Sequence, residues 1–233
     1  MTAFYYFCGH EQWQPETLVE HAVAAEAAGF DGLLVSEHFH PWVDDVGASG
    51  FAFATLGAMA RATHRVRLAT GVTTPLFRCH PAVVAQAAAT IDRLSGGRFD
   101  LGVGTGENIN EAPVGLPFPP YGERARRLAE ALEIMRRLLD GEKVTFPGRY
   151  YQTDLHPETR IGDAAAYGYN PLKCRASSMR LAARMNAAVR SVMRACSAAS
   201  HKALKALPMM LSSRPLTSSS DQKKLEMSCT HSK

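Results

Sequence analysis

The chain of 233 residues has no run of about 18 apolar residues, so no transmembrane helix is expected from hydropathy. Its first seven residues, Met1-Thr2-Ala3-Phe4-Tyr5-Tyr6-Phe7, lack the basic and long apolar segments of a signal peptide and read as a strand. Cysteine is scarce. Cys8, Cys79, Cys174, Cys196 and Cys229 are an odd, scattered set without CxxC spacing, which argues against a zinc site and for reduced thiols in a cytoplasm. The histidines lack tight metal spacing, so no metal is expected. Residues 164–233 are poorer still. They contain one glycine (Gly168), two valines, no Phe or Ile, and 2 acidic residues against 12 Lys+Arg. Residues 1–163 hold 14 Lys+Arg and 20 Asp+Glu, so the overall charge of +4 averages −6 and +10. A basic tail without aromatic interleaving or a known motif gives little reason to expect nucleic-acid binding.

What is present before residue 160 is an alternation of short apolar runs and helical stretches. Strands are expected at 3–7, 32–35, 66–72 and 99–104. Helices are expected from Pro15 to Ala28, Phe51 to Ala62, Pro81 to Leu94 and Glu123 to Leu139, with prolines at two helix starts and glycines at the stops. Val144-Thr145-Phe146 and Tyr150-Tyr151-Gln152 flank Pro147-Gly148-Arg149 as a hairpin. Strict β-α alternation argues for a parallel sheet. The doubly wound alternative needs a phosphate-binding glycine loop after strand one, and Phe7-Cys8-Gly9-His10 is none. The reading is an α/β chain of (β/α)8 TIM-barrel type. Residues 1–158 supply its N-terminal half and residues 159–233 an aberrant helical or disordered tail, as a frameshift or gene truncation would leave.

In such a barrel the C-terminal strand ends carry the chemistry. There the chain places Ser36-Glu37-His38-Phe39-His40-Pro41-Trp42, Gly71-Val72-Thr73-Thr74-Pro75 and Gly104-Thr105-Gly106-Glu107-Asn108-Ile109-Asn110-Glu111. His38 suits acid/base work near its ordinary pKa of roughly 6.5. Glu107 lies too close to a strand end for a routine surface charge. Trp42 reads as a wall of the site. His40 and His80 read as peripheral or structural, Glu111 and Asn108 as solvated or capping residues, and Arg124, Arg126 and Arg127 as a solvated helix face.

These stretches, with His80-Pro81-Ala82-Val83-Val84-Ala85-Gln86 and Leu101-Gly102-Val103-Gly104, resemble the bacterial luciferase-like superfamily. More narrowly they are similar to its coenzyme F420-dependent glucose-6-phosphate dehydrogenase group, from about residue 3 to about residue 155. The resemblance implies hydride transfer from a sugar phosphate or related alcohol to deazaflavin F420. It makes His38 the group that takes the hydroxyl proton, Glu107 the carboxylate that exchanges a proton with the reduced ring, and Trp42 a stabiliser of the reacting complex. Glu37, Thr74, Thr105, Gly106 and Asn110 match cofactor-contacting positions, and Gly71-Val72 matches a non-proline cis peptide against the ring. It further implies a small-molecule substrate, no membrane partner and a possible homodimer. An FMN-dependent monooxygenase of the same superfamily, or a truncated product without catalysis, are the alternatives. Glu37 stands where many members have Asp, and no position in 160–233 matches the family's phosphate-gripping half.

Overall fold

The computed structural model describes residues 3–41 and 47–154. The expectations placed on Trp42 and on the tail fall outside them. Four strands, β1 (Tyr5–Cys8), β2 (Gly32–Val35), β3 (Arg67–Thr70) and β4 (Phe99–Asp100), form one parallel sheet in that order. Helices α1 (Pro15–Ala27), α2 (Ala52–Ala62) and α3 (Pro81–Leu94) make the crossovers. A four-residue helix α4 (Asn108–Glu111), a 3-10 turn (Ala112–Val114), the long helix α5 (Tyr121–Leu139) and an antiparallel hairpin, β5 (Thr145–Pro147) with β6 (Gln152–Asp154), follow. This is the barrel-type βα order expected from the alternation.

The strands form because each is a short apolar run bounded by turn residues. Gly29, at φ 91°, ends α1 and leads into β2. Pro15 and Pro81 stand at helix starts, where their missing N–H goes unused. The His80 ring accepts from the Ala82 amide at 3.1 Å and so caps α3, a structural role.

One face of the sheet packs on the helices. Cys8, Leu33, Val35, Leu68, Phe99 and Leu101 are buried with Leu18, Leu56, Met59, Leu132, Ile134 and Met135. Burying a side chain of this size is worth about 1.5–3 kcal/mol. Tyr5 and Phe7 alternate onto the opposite face and are exposed.

Two features position the strand ends. First, β4 is shorter than its apolar run. Thr70 Oγ1 donates to the Gly102 carbonyl at 2.8 Å and accepts from the Gly102 amide at 3.0 Å, so a side chain takes the place of a backbone partner at that amide and shares the carbonyl with the Thr73 amide. Pairing resumes at Thr73 and Val103. Between the Ala69–Asp100 pair and that bridge, the β3 side spends four steps against three, which is a one-residue bulge. Second, the hairpin braces the loop after β3. Tyr151 is buried and its hydroxyl donates to the Leu76 carbonyl at 2.7 Å, while Glu130 of α5 accepts from the amides of Arg149, Tyr150 and Tyr151.

Candidate functional site

His38 lies just past the end of β2, with its side chain 14% exposed. Its Nδ1 is paired with Glu11 Oε1, and its Nε2 lies 3.7 Å from Glu107 Oε2. Glu107 follows β4 and is 59% exposed, so it forms the wet side of this pair. Burial alone would lower the His38 pKa. The hydrogen bond to Glu11 and the charges of Glu11, Glu107 and Glu37 outweigh it and hold the imidazole above its usual value. Glu11 is buried. Burial pushes its carboxyl up, but the bonds from His38, from its own amide and from Ser36 prevail and hold it below the usual carboxylate range.

Glu11 carries no expectation from sequence. It lies in the loop after β1, as Gly9-His10-Glu11, at the same strand edge as the other site residues. The rule that strand ends carry chemistry reaches it once strand one is extended to Cys8. Behind it stands a buried polar set. The His10 amide donates to Ser36 Oγ at 2.9 Å, and Ser36 Oγ donates to Glu11 Oε2 at 3.1 Å. The His10 ring bonds the Ser36 carbonyl and Thr55 Oγ1, each at 2.9 Å.

A second cluster surrounds Arg78, which sequence reasoning also missed. Its Nη1 bonds Glu37 Oε1 at 2.9 Å, and its Nε lies 3.5 Å from Glu111 Oε2. Glu37 uses its other oxygen to accept from the Thr74 amide at 3.3 Å. The Glu37 side chain is therefore occupied by protein partners. Glu111 has no exposed surface at all, so it is not solvated; it stands at the N-cap position of the 3-10 turn, but its side chain makes no capping bond. Burial raises its pKa, opposed by Arg78 and reinforced by Glu37. Neither of its oxygens meets hydrogen-bond geometry among the described residues, and the same holds for buried Thr73 Oγ1.

Asn110 is buried and links two walls. Its Oδ1 accepts from the amides of Phe39 at 2.8 Å and His40 at 3.3 Å, and its Nδ2 reaches Glu107 Oε2 at 3.5 Å. The His40 ring is exposed and contacts only its neighbour, the Pro41 carbonyl, at 2.7 Å among the described residues. Arg126 is exposed, but Arg124 stacks on Phe118 at 4.0 Å and Arg127 on Tyr150 at 4.6 Å, so this face is not simply solvated.

Gly71–Val72 is a cis peptide, as the resemblance implies. The glycines of this wall answer first to protein packing. A Cβ on Gly71 would meet Leu34 Cγ at 2.5 Å, and one on Gly104 would meet Val72 Cγ2 at 2.8 Å. Gly106 has φ +84°, where side chains are strained. The outcome is a neutral, backbone-lined surface of half-buried Gly71, Val72, Gly104, Thr105 and Gly106 beside His38 and Glu107. Such a surface can take a planar ring.

A parallel sheet in the order β1-β2-β3-β4 with helical crossovers, carrying an imidazole–carboxylate pair at its C-terminal edge, is the architecture of an α/β barrel. The chain belongs to the luciferase-like monooxygenase family, whose sequence profile matches residues 2–205. It is 50% identical over 146 residues to the F420-dependent glucose-6-phosphate dehydrogenase of Intrasporangium calvum, covering 61% of this chain and 44% of that protein. It is 46% identical over 157 residues to the F420-dependent hydroxymycolic acid dehydrogenase of Mycobacterium tuberculosis, covering 67% and 43%. The chain thus spans less than half the length of these relatives. Its fold matches that of an F420-dependent secondary alcohol dehydrogenase solved with an F420–acetone adduct. The TM-score is 0.64 at 40% identity, covering 66% of this chain and 47% of that one. The F420-dependent tetrahydromethanopterin reductase of Methanopyrus kandleri matches with a TM-score of 0.57 at 26% identity, covering 66% and 44%.

Proposed function

We propose that this chain carries the proton-handling half of an F420-dependent oxidoreductase that moves a hydride between an alcohol, such as a sugar phosphate, and the deazaflavin. The observation that carries this is the His38–Glu107 pair, 3.7 Å apart at the sheet's C-terminal edge beside the Gly71–Val72 wall. The names of the relatives point the same way.

When bound, F420 supplies the hydride-accepting carbon; the protein need only bind, orient and move protons. Gly71, Val72, Thr105 and Gly106 present the flat surface on which the ring would rest. Glu37, Thr74 and Asn110 act on it indirectly, by holding the loops that form it. His38 takes the substrate hydroxyl proton, for which an imidazole is suited near neutral pH. Glu107, open to solvent, exchanges the proton that the reduced cofactor requires. Trp42 would close the same wall by resemblance alone. The reading extends to a homodimer in the cytoplasm, in keeping with free thiols at Cys8 and Cys79.

The test is a fluorescence titration of the full chain with F420 and, separately, with FMN. Saturable F420 binding that is tighter than FMN binding is expected. Preference for FMN would replace this reading with the monooxygenase one. No binding of either would leave the chain a non-catalytic product.

A further inference from the structure

We infer that Ser36 is a positioning residue that holds the Glu11 carboxylate against His38 Nδ1 and so keeps the His38 proton on that nitrogen. The argument starts from groups whose direction of bonding is fixed. A backbone amide only donates and a carboxylate only accepts. The His10 amide donates to Ser36 Oγ at 2.9 Å, so that oxygen serves as an acceptor there. Its single proton is then committed to Glu11 Oε2 at 3.1 Å. The other Glu11 oxygen faces His38 Nδ1, which must donate to it. In the neutral imidazole the lone pair therefore sits on Nε2, the nitrogen that faces Glu107 and the cleft.

The far end of the chain is fixed in the same way. The Ser36 carbonyl can only accept, so His10 Nδ1 donates to it at 2.9 Å. His10 Nε2 is left to accept from the Thr55 hydroxyl at 2.9 Å. His10 and Ser36 have no exposed surface, and Thr55 is buried on α2, so water does not compete for these bonds. Burial also keeps His10 below its usual pKa, in the neutral form the chain requires. A series of donors thus runs from α2, through the loop after β1 and the end of β2, to the Glu11 carboxylate, where it meets the opposing donor His38 Nδ1. Among the described residues, the ionisable groups that bear on His38 include Glu11, Glu37, Glu107 and, behind Glu11, His10.

The inference rests on His38 as the proton-accepting group of the reading above, but its test needs no cofactor. Nitrogen NMR of the labelled full chain reads the His38 tautomer and its titration midpoint, with the signal assigned by its loss in His38→Gln. The wild type is expected to hold the proton on Nδ1. Ser36→Ala is expected to give a mixture of tautomers and a lower midpoint, because Glu11 loses a donor and settles less firmly against His38. Ser36→Cys, close in size with a weaker donor, is expected to fall between them, and it serves if the alanine variant does not fold. Thr55→Val, which breaks only the far end, is expected to keep the wild-type tautomer. A wild-type tautomer and midpoint in both Ser36 variants overturns the inference. So does a Thr55→Val shift as large as that of Ser36→Ala, which would mean general loosening. Failure of F420 to bind would leave the NMR result standing and would count only against the proposed function.

Discussion

Arg78 Nη1 lies 2.9 Å from Glu37 Oε1, and the same guanidinium turns its Nε toward Glu111. One cation thus serves two carboxylates, half-buried Glu37 from the loop after β2 and buried Glu111 from α4. Removing it leaves both uncompensated. Arg78→Met is expected to destabilise the fold by about 3–5 kcal/mol, as breaking a buried pair does. Arg78→Lys keeps the charge but loses the planar fork, and should recover only part of this. Denaturant unfolding of the three proteins checks it; equal stability would refute the coupling.

Glu111→Gln should behave in the opposite sense. The raised pKa of Glu111 means that its ionised form is disfavoured in the fold. Its stability contribution is full below the unfolded carboxylate pKa, about 4.3, and is lost as pH rises through the folded value. The glutamine variant is therefore expected to match or exceed the wild type at pH 8 and to lose that advantage near pH 4. Melting temperatures across that range decide it.

The His38–Glu11 pair has its own pH window. The His38 pKa is raised, so its contribution is present below the unfolded value of about 6.5 and lost as pH rises through the folded one. The Glu11 pKa is lowered, so its contribution is present above about 4.3 and lost as pH falls through the folded one. Stability lost in His38→Gln should peak between about pH 4.5 and 6.5 and shrink on both sides. A flat difference across pH would show the pair to be uncoupled.

At the wall, Gly104→Ala is expected to cost about 1–3 kcal/mol, because the new methyl meets Val72 Cγ2 at 2.8 Å. Trimming the neighbour in Gly104→Ala/Val72→Ala should restore much of the loss. If the double variant is no more stable than the single one, the contact is not the cause.

Tyr151→Phe removes the bond to the Leu76 carbonyl and leaves that acceptor without this donor in a buried place. The expected cost is about 0.5–1.5 kcal/mol. Amide exchange should rise first in the loop around Leu76–Arg78, which separates a local brace from a global effect.

β2 and α3 were legible to the residue because each is an unbroken pattern closed by glycine or proline. Elsewhere side chains overrode pattern. β4 reads as six residues, but the Thr70 hydroxyl takes over the Gly102 amide and interrupts the ladder there. The hairpin pairs one to two residues later than its apolar runs suggest, because Glu130 captures the amides of Tyr150 and Tyr151. Helix α4, only Asn108–Glu111, is too short to show a period. His38 and Glu107 stood out as costly groups at strand ends. Glu11 and Arg78 did not, since their meaning lies in partners 27 and 41 positions distant.

The one-residue bulge between β3 and β4 also bears on how this chain can change over time. Side chains alternate along a strand, so an extra position exchanges the faces of everything beyond it. Losing one residue from 70–72 would restore an even ladder and turn Thr73 and Thr74 away from their present partners. Length in this segment is therefore a requirement separate from composition: a replacement at Thr70 or Gly71 disturbs the contacts of one position, whereas a single-codon insertion or deletion would shift every residue of the wall beyond it.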